Sequence, residues 1–126
     1  MKNTEREPEA LLPLTPAVFH ILLALIDGER HGYGIMQEVT AHTDGTLRMG
    51  PGTLYGSIKR MLNDGLIAES GTRPDPALNN ERRRYYHLTD FGQRVAQAEA
   101  RRLEQLLRVA HNKHLLPGFD TAGGIA

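Results

Sequence analysis

Two unlike helix faces are written into Met49-Gly50-Pro51-Gly52-Thr53-Leu54-Tyr55-Gly56-Ser57-Ile58-Lys59-Arg60-Met61-Leu62-Asn63-Asp64-Gly65. Pro51 suits a first helical position, because its fixed φ matches the helix and an N–H there would have no intrahelical partner. Gly65 is the matching stop, able to turn left-handed just past the last turn. Between them Leu54, Ile58, Met61 and Leu62 recur at three- and four-residue spacing and form one apolar stripe. Gly52, Thr53, Gly56, Lys59, Arg60 and Asn63 fall on the opposite face, with no carboxylate before Asp64. Such a helix can rest one side on a core and present small residues and cations to a polyanion with the other.

Upstream, Thr15-Pro16 reads as an N-cap followed by proline at the first helical position. The helix from Pro16 to Asp27 carries Val18, Phe19, Ile21, Leu22, Leu25 and Ile26, an apolar surface broad enough for a central position, and Gly28 ends it. His31-Gly32-Tyr33-Gly34 is a short connection, in which His31 orders a turn, leading into a helix over about Tyr33 to His42. Downstream, Leu66 to Ser70 is too short for a helix and reads as a strand. Residues 71–81 hold Gly, Pro, Asn and Asp in loop proportions, so a long mobile loop is expected there. Arg82 to Leu88 is β-prone and can pair antiparallel with the preceding strand; Tyr86, sharing parity with Leu88, is the tyrosine expected in the core. Thr89 caps a final helix from Asp90 to about His114. Its stripe of Val95, Ala96, Ala100, Leu103, Leu106, Leu107, Val109 and Ala110 exceeds what so small a core can cover, so its far half is expected to pack on another copy of itself.

The fold class that follows is mainly α with a small β hairpin: a winged helix-turn-helix over residues 14–89 and a C-terminal dimerisation helix over 90–116. A flexible N-terminal arm with at most a short helix is expected over residues 1–13, and a disordered tail over 117–126.

The 126 residues suffice for one domain with an appended element. The absence of cysteine excludes disulfides, thiolate metal sites and cysteine nucleophiles. No apolar run approaches the roughly 18–20 residues of a membrane span, and the acidic start is unlike a signal peptide, so a cytoplasmic protein without membrane contact is expected. Formal net charge is zero, but its distribution is uneven: −4 over residues 1–47, +3 over 48–87 and +1 over 88–126. A local basic segment can attract phosphate even in a neutral molecule.

Gly52-Thr53-Leu54-Tyr55, then Gly65-Leu66-Ile67, then Arg84-Tyr85-Tyr86-His87-Leu88-Thr89 followed by Gly92, resemble the PadR family of bacterial transcriptional regulators. Leu14-Thr15 through His31-Gly32-Tyr33-Gly34-Ile35 is similar to the family's opening helices. The resemblance spans about residues 14–110. It implies a homodimeric, cytoplasmic DNA-binding regulator, most often a repressor. In such proteins the third helix enters the major groove and the last helix dimerises. Many members respond to a small-molecule effector, and nothing in this sequence identifies one. The flat aromatic drug site of some members uses tryptophan on the last helix, a residue this chain lacks.

On the third helix, Lys59 and Arg60 are the leading candidates for DNA contact, since arginine pairs bidentately with guanine and lysine holds phosphate as a point charge. Thr53 and Ser57 can add hydroxyl contacts, Gly56 admits a groove wall, and Tyr55 lies at the stripe's border, suited equally to the core or to phosphate. Arg82, Arg83 and Arg84 alternate across a strand and cannot all face one way; with Arg73 they are candidates for phosphate or minor-groove contact. The dimer face is assigned to Val95, Ala96, Ala100, Leu103, Leu106, Leu107 and Ala110. His111 and His114 stand one turn apart without a third ligand, so no metal or cofactor is expected. No nucleophile elbow or phosphate-binding glycine loop is present, so no enzyme is expected either. The expected partners are double-stranded operator DNA of pseudo-palindromic sequence and a second copy of the chain. The alternative is a winged helix that meets another protein through its third helix.

Overall fold

The computed structural model describes residues 6–76 and 81–117. The described residues form four helices, α1 (Pro16–Leu25), α2 (Gly32–His42), α3 (Pro51–Asn63) and α4 (Asp90–Asn112), and a small antiparallel sheet made of β1 (Arg30–His31), β2 (Ile67–Asp75) and β3 (Glu81–Leu88), with α1, α2 and α3 packed against its strands. The helix boundaries follow local chemistry. Thr15 Oγ1 accepts from the Val18 N–H at 3.2 Å, His31 Nδ1 accepts from the Gly34 N–H at 2.9 Å, and Thr89 Oγ1 accepts from the Gly92 N–H at 2.9 Å. At the end of α3, Leu66 N–H donates to the Met61 carbonyl at 2.9 Å and Gly65 N–H to that of Leu62 at 3.2 Å, with Gly65 at φ +77°. This is the paired C-terminal closure that a left-handed glycine permits.

One core joins the pieces. Ile21, Leu22 and Leu25 of α1, Ile35 and Val39 of α2, Leu54, Ile58 and Met61 of α3, Leu66, Ile67, Tyr86 and Val95 are all buried. Tyr86 occupies the inward position that parity with Leu88 predicts. Helix α1 is central, touching α2, α3, α4 and β3, yet Leu23 and Ile26 remain exposed.

The structure corrects the strand plan twice. The connection before α2 contains β1, whose Arg30 and His31 pair with Tyr86 and Tyr85, so the sheet has three strands in the order β1-β3-β2 rather than two. Most of the expected long loop is also strand: β2 continues to Asp75, with Thr72 opposite Arg84 and Arg73 opposite Arg83. A bulge between Glu69 and Gly71 bends the strand without ending it. Pro74 is tolerated because β2 is an edge strand, where a missing N–H leaves no ladder partner wanting. Residues 77–80 lie outside the described residues.

A third correction concerns α4. Val95 and Ala96, assigned to a dimer face, are buried in the core of their own chain and have no surface to offer a second copy. Ala100 and everything after it on α4 is exposed or half-buried, including Leu103, Leu106, Leu107, Val109 and Ala110. At the other end of the chain, Pro8–Leu11 forms a 3-10 turn, and Leu11 and Leu12 pack against the core beside α4. The expected tail lies outside the described residues from Gly118 onward.

Candidate nucleic-acid interface

Helix α3 exposes the face its sequence assigns to the outside. Gly52, Thr53, Gly56, Lys59 and Arg60 are exposed and Ser57 is half-buried. Successive helical residues diverge by about 100°. Lys59 and Arg60 therefore stand on either flank of a strip centred on Gly56 and Asn63. Among the described residues neither cation forms an ion pair, whereas Arg73, Arg83 and Arg84 of the sheet do. The glycines of this strip have no reason inside the molecule. A Cβ at Gly52 or Gly56 would meet nothing within 4 Å, although glycine within a helix is about 1 kcal/mol less favourable than alanine.

Tyr55, left open between core and surface, is half-exposed at 50%. Its hydroxyl lies against Gly32 at the start of α2, 2.5 Å from where a Cβ would stand, so the absence of a side chain at Gly32 is what lets the tyrosine lie there. Tyr55 forms one wall of a cleft of about 430 Å³ between α3 and the sheet, together with Tyr33, Pro51, Arg82, Arg84 and Tyr86.

The sheet sorts the four arginines into two pairs. Arg82 and Arg84 share a face with buried Tyr86 and project beyond it. Arg82 donates from Nε to Thr72 Oγ1 and from Nη2 to the Thr72 carbonyl, both at 2.9 Å, which lays it along the edge strand while leaving it exposed. Arg84 Nε is 3.7 Å from Glu69 Oε2, a loose and exposed pair. Arg73 and Arg83 are occupied elsewhere. Arg73 pairs with Glu29 and stacks over the Tyr85 ring, 4.3 Å from its centroid. Arg83 borders the cleft, but its Nε is 2.6 Å from Asp75 Oδ2, its Nη1 donates to His31 Nδ1 at 3.1 Å, and its guanidinium covers the Tyr33 ring.

His31 is the joint of this arrangement. Its Nδ1 receives both the Gly34 N–H and Arg83, so that nitrogen carries no proton and the ring is neutral. Burial and then the Arg83 charge push its pKa below the ordinary imidazole value. The expectation that His31 orders a turn is met as the N-cap of α2.

Sequence reasoning passed over Arg48 and Tyr33. Both are exposed, and both line a second shallow cleft with Gln37, Thr40 and Met49; Tyr33 and Met36 are common to both clefts. The only available signal was the placement of Arg48 in the basic segment just ahead of α3.

With this geometry established, comparison with known proteins is decisive. Residues 21–98 match the transcriptional regulator PadR-like family. The chain belongs to that family. It is 34% identical over 89 residues to the transcriptional regulator Rv3488 of Mycobacterium tuberculosis, covering 71% of this chain and 77% of that one. A transcriptional regulator from Clostridium thermocellum superposes with a TM-score of 0.63 at 25% identity, over 75% of this chain and 89% of that structure. Bacillus subtilis PadR, solved in complex with operator DNA, superposes with a TM-score of 0.56 at 22% identity, over 64% of this chain and 45% of that one. A PadR-like chain is a transcriptional regulator and not an enzyme. Among the described residues no helix is long and apolar enough to cross a membrane.

Proposed function

We propose that this PadR-like regulator binds a pseudo-palindromic operator as a cytoplasmic homodimer and acts as a repressor, with α3 in the major groove. The observation that carries the reading is the carboxylate-free face of α3, with Lys59 and Arg60 exposed, together with a wing whose exposed Arg82 and Arg84 line the cleft walled by Tyr55 of the same helix. Thr53, Ser57 and Tyr55 add hydroxyls to this surface. Arg73 and Arg83 serve the wing's own shape. The shared fold of a PadR solved with operator DNA supports this choice. Two copies placing α3 in successive grooves would sit about 34 Å apart on the duplex.

Selection of bound sequences from random duplex DNA tests the reading, with enrichment of paired half-sites expected. No enrichment, together with capture of a protein ligand by the α3 face, would favour the interaction-module alternative. Within the same assay Arg84→Ala is expected to reduce the slope of log affinity against log salt by about 1. Arg73→Ala should leave that slope in place, because its guanidinium is already paired with Glu29. If the two variants behave alike, the division of the wing arginines is wrong. Gly56→Ala should raise the melting temperature, as alanine favours the helix by up to about 1 kcal/mol. Its added methyl should also weaken operator binding by standing in the approach path. Stabilisation without weaker binding would detach Gly56 from the DNA face.

The homodimer rests on apolar area that the monomer leaves uncovered. Leu106 is 57% exposed, and Leu107 and Val109 are exposed beside it. An open groove of about 480 Å³ between α1 and α4, lined by Phe19, Leu23, Ala100, Leu103 and Leu107, continues the same face. Leu106→Glu is expected to shift the protein from dimer to monomer in sedimentation at micromolar concentration, since it puts a charge into a face that must shed water. An unchanged dimer would move the interface off α4.

A further inference from the structure

Glu99 is 2% exposed, the one charged residue among the fully buried groups of the described chain. Burying a carboxylate is unfavourable unless its oxygens are satisfied, and here they are. Arg102 Nε donates to Oε1 at 2.7 Å and Arg102 Nη2 to Oε2 at 3.0 Å, a two-pronged pair one helical turn on. Oε2 also accepts from the backbone N–H of Leu14 at 3.2 Å, the residue just ahead of the Thr15 cap of α1. Glu99 thus ties α4 to the start of α1.

Its position along α4 is what gives the tie a consequence. Before it, Gly92, Val95, Ala96 and Ala98 are buried; after it, no described residue of α4 is. Glu99 is the last buried residue of the helix, beyond which α4 meets its own chain only along the open groove against α1. The 13 residues from there to Asn112 extend about 20 Å, so a tilt of about 10° at this point moves the far end by about 3 Å. A second tie lies near the beginning of the helix, where the Arg6 guanidinium covers the Phe91 ring at 5.5 Å and donates to the Asp64 carbonyl at 2.6 Å. Two ties define a direction; the Glu99 tie, farther along, sets it. An apolar residue of similar volume could fill the space, but it would lack the directional bonds to Leu14 and Arg102. Buried charges are best attested where they specify register rather than add stability.

We propose that Glu99 is a positioning residue: by joining α4 to Leu14 and Arg102 at the edge of the domain, it fixes the angle of the dimerisation helix and so the separation of the two α3 helices. The proposal rests on the homodimer reading above. It makes Glu99 a determinant of operator half-site spacing without itself contacting DNA.

The chain has no cysteine, so one introduced at exposed Asn63, at the end of α3, gives a single labelling site per protomer. Spin labels at Asn63→Cys in the full chain report the distance between the two α3 helices by pulsed electron paramagnetic resonance, without DNA. The expected result is one narrow maximum with native Glu99. Glu99→Gln should lose that maximum while sedimentation still shows a dimer, and selection with variable spacers should accept several half-site separations. Arg102→Lys, which keeps the charge and the Leu14 bond but lacks the fork, should broaden the distribution in the same direction and decides the matter if Glu99→Gln does not fold. A narrow maximum in a folded, less stable variant would make Glu99 merely structural and overturn the proposal. Absence of any coupling between labels in the native background would overturn the dimer reading and the proposal with it.

Discussion

Replacing Gly92 with alanine is expected to lower stability by about 3 kcal/mol, combining overpacking against backbone with the loss of local hydrogen bonds. A Cβ at this position would stand 2.0 Å from the Leu66 carbonyl oxygen and 3.1 Å from Leu88 Cδ1. The carbonyl cannot simply move aside. It accepts from the Thr89 N–H at 3.1 Å and from the Thr89 hydroxyl at 3.0 Å, and that hydroxyl also reaches the Gly65 carbonyl at 2.6 Å. Thr89 in turn caps α4 by accepting from the Gly92 N–H. The C-terminal closure of α3 and the N-terminal cap of α4 are therefore one hydrogen-bonded joint, and Gly92 is where the two backbones come closest. For a domain of this size the loss corresponds to a fall in melting temperature of about 10–20 °C, readable by circular dichroism. A variant melting within a degree or two of the native protein would show that the joint can open by backbone shift. Partial unfolding at this point should also separate α4 from α3, so dimerisation and DNA binding should fail together.

Arg60→Ala is the second large expectation, and its effect lies in binding. Operator affinity should fall by about 1–3 kcal/mol, roughly 5- to 150-fold at constant salt, if the guanidinium reads a guanine edge. Stability should change little, because Arg60 is exposed and makes no ion pair among the described residues. Asp64, one turn on, is engaged by Arg6. Affinity for random duplex should fall much less than affinity for the operator, since base contacts carry the discrimination and phosphate contacts the general attraction. Lys59→Ala should show the reverse balance, weakening all sequences and reducing the salt slope. Equal loss on operator and random DNA for Arg60→Ala would reassign it to phosphate; no loss across a salt titration would remove it from the interface.

What could be read along the chain was whatever is decided within a few residues. Pro51 and Gly65 bracket α3 because proline and glycine have local backbone requirements, and the observed helix runs from Pro51 to Asn63. Thr15 and Thr89 cap helices because a hydroxyl reaches an N–H three residues on. The inward turn of Tyr86 follows from strand alternation. By contrast, β1 is only two residues long and exists because residues 30–31 meet 85–86 across the chain. Nothing local marks it. Gly71 and Pro74 carry a loop signature that an edge position and a bulge override in β2.

The arginines and the α4 stripe mark the same boundary within the functional surfaces. Alternation requires that Arg82, Arg83 and Arg84 diverge, but which of them remain exposed depends on Asp75 and Thr72 across the strand pair and on His31 over 50 residues away. Val95 and Leu106 belong to one continuous apolar stripe, and only the depth to which α4 docks separates core from uncovered surface. For α3, the sequence by itself determined the helix, its two faces and its cationic character, because periodicity and caps act over a single turn. Tertiary structure alone decided that Tyr55 lies over Gly32, that two of four wing arginines are occupied, and that a buried Glu99 anchors the last helix. Those outcomes depend on charges and backbones brought together from distant parts of the chain, where spacing in sequence carries no information about distance in space.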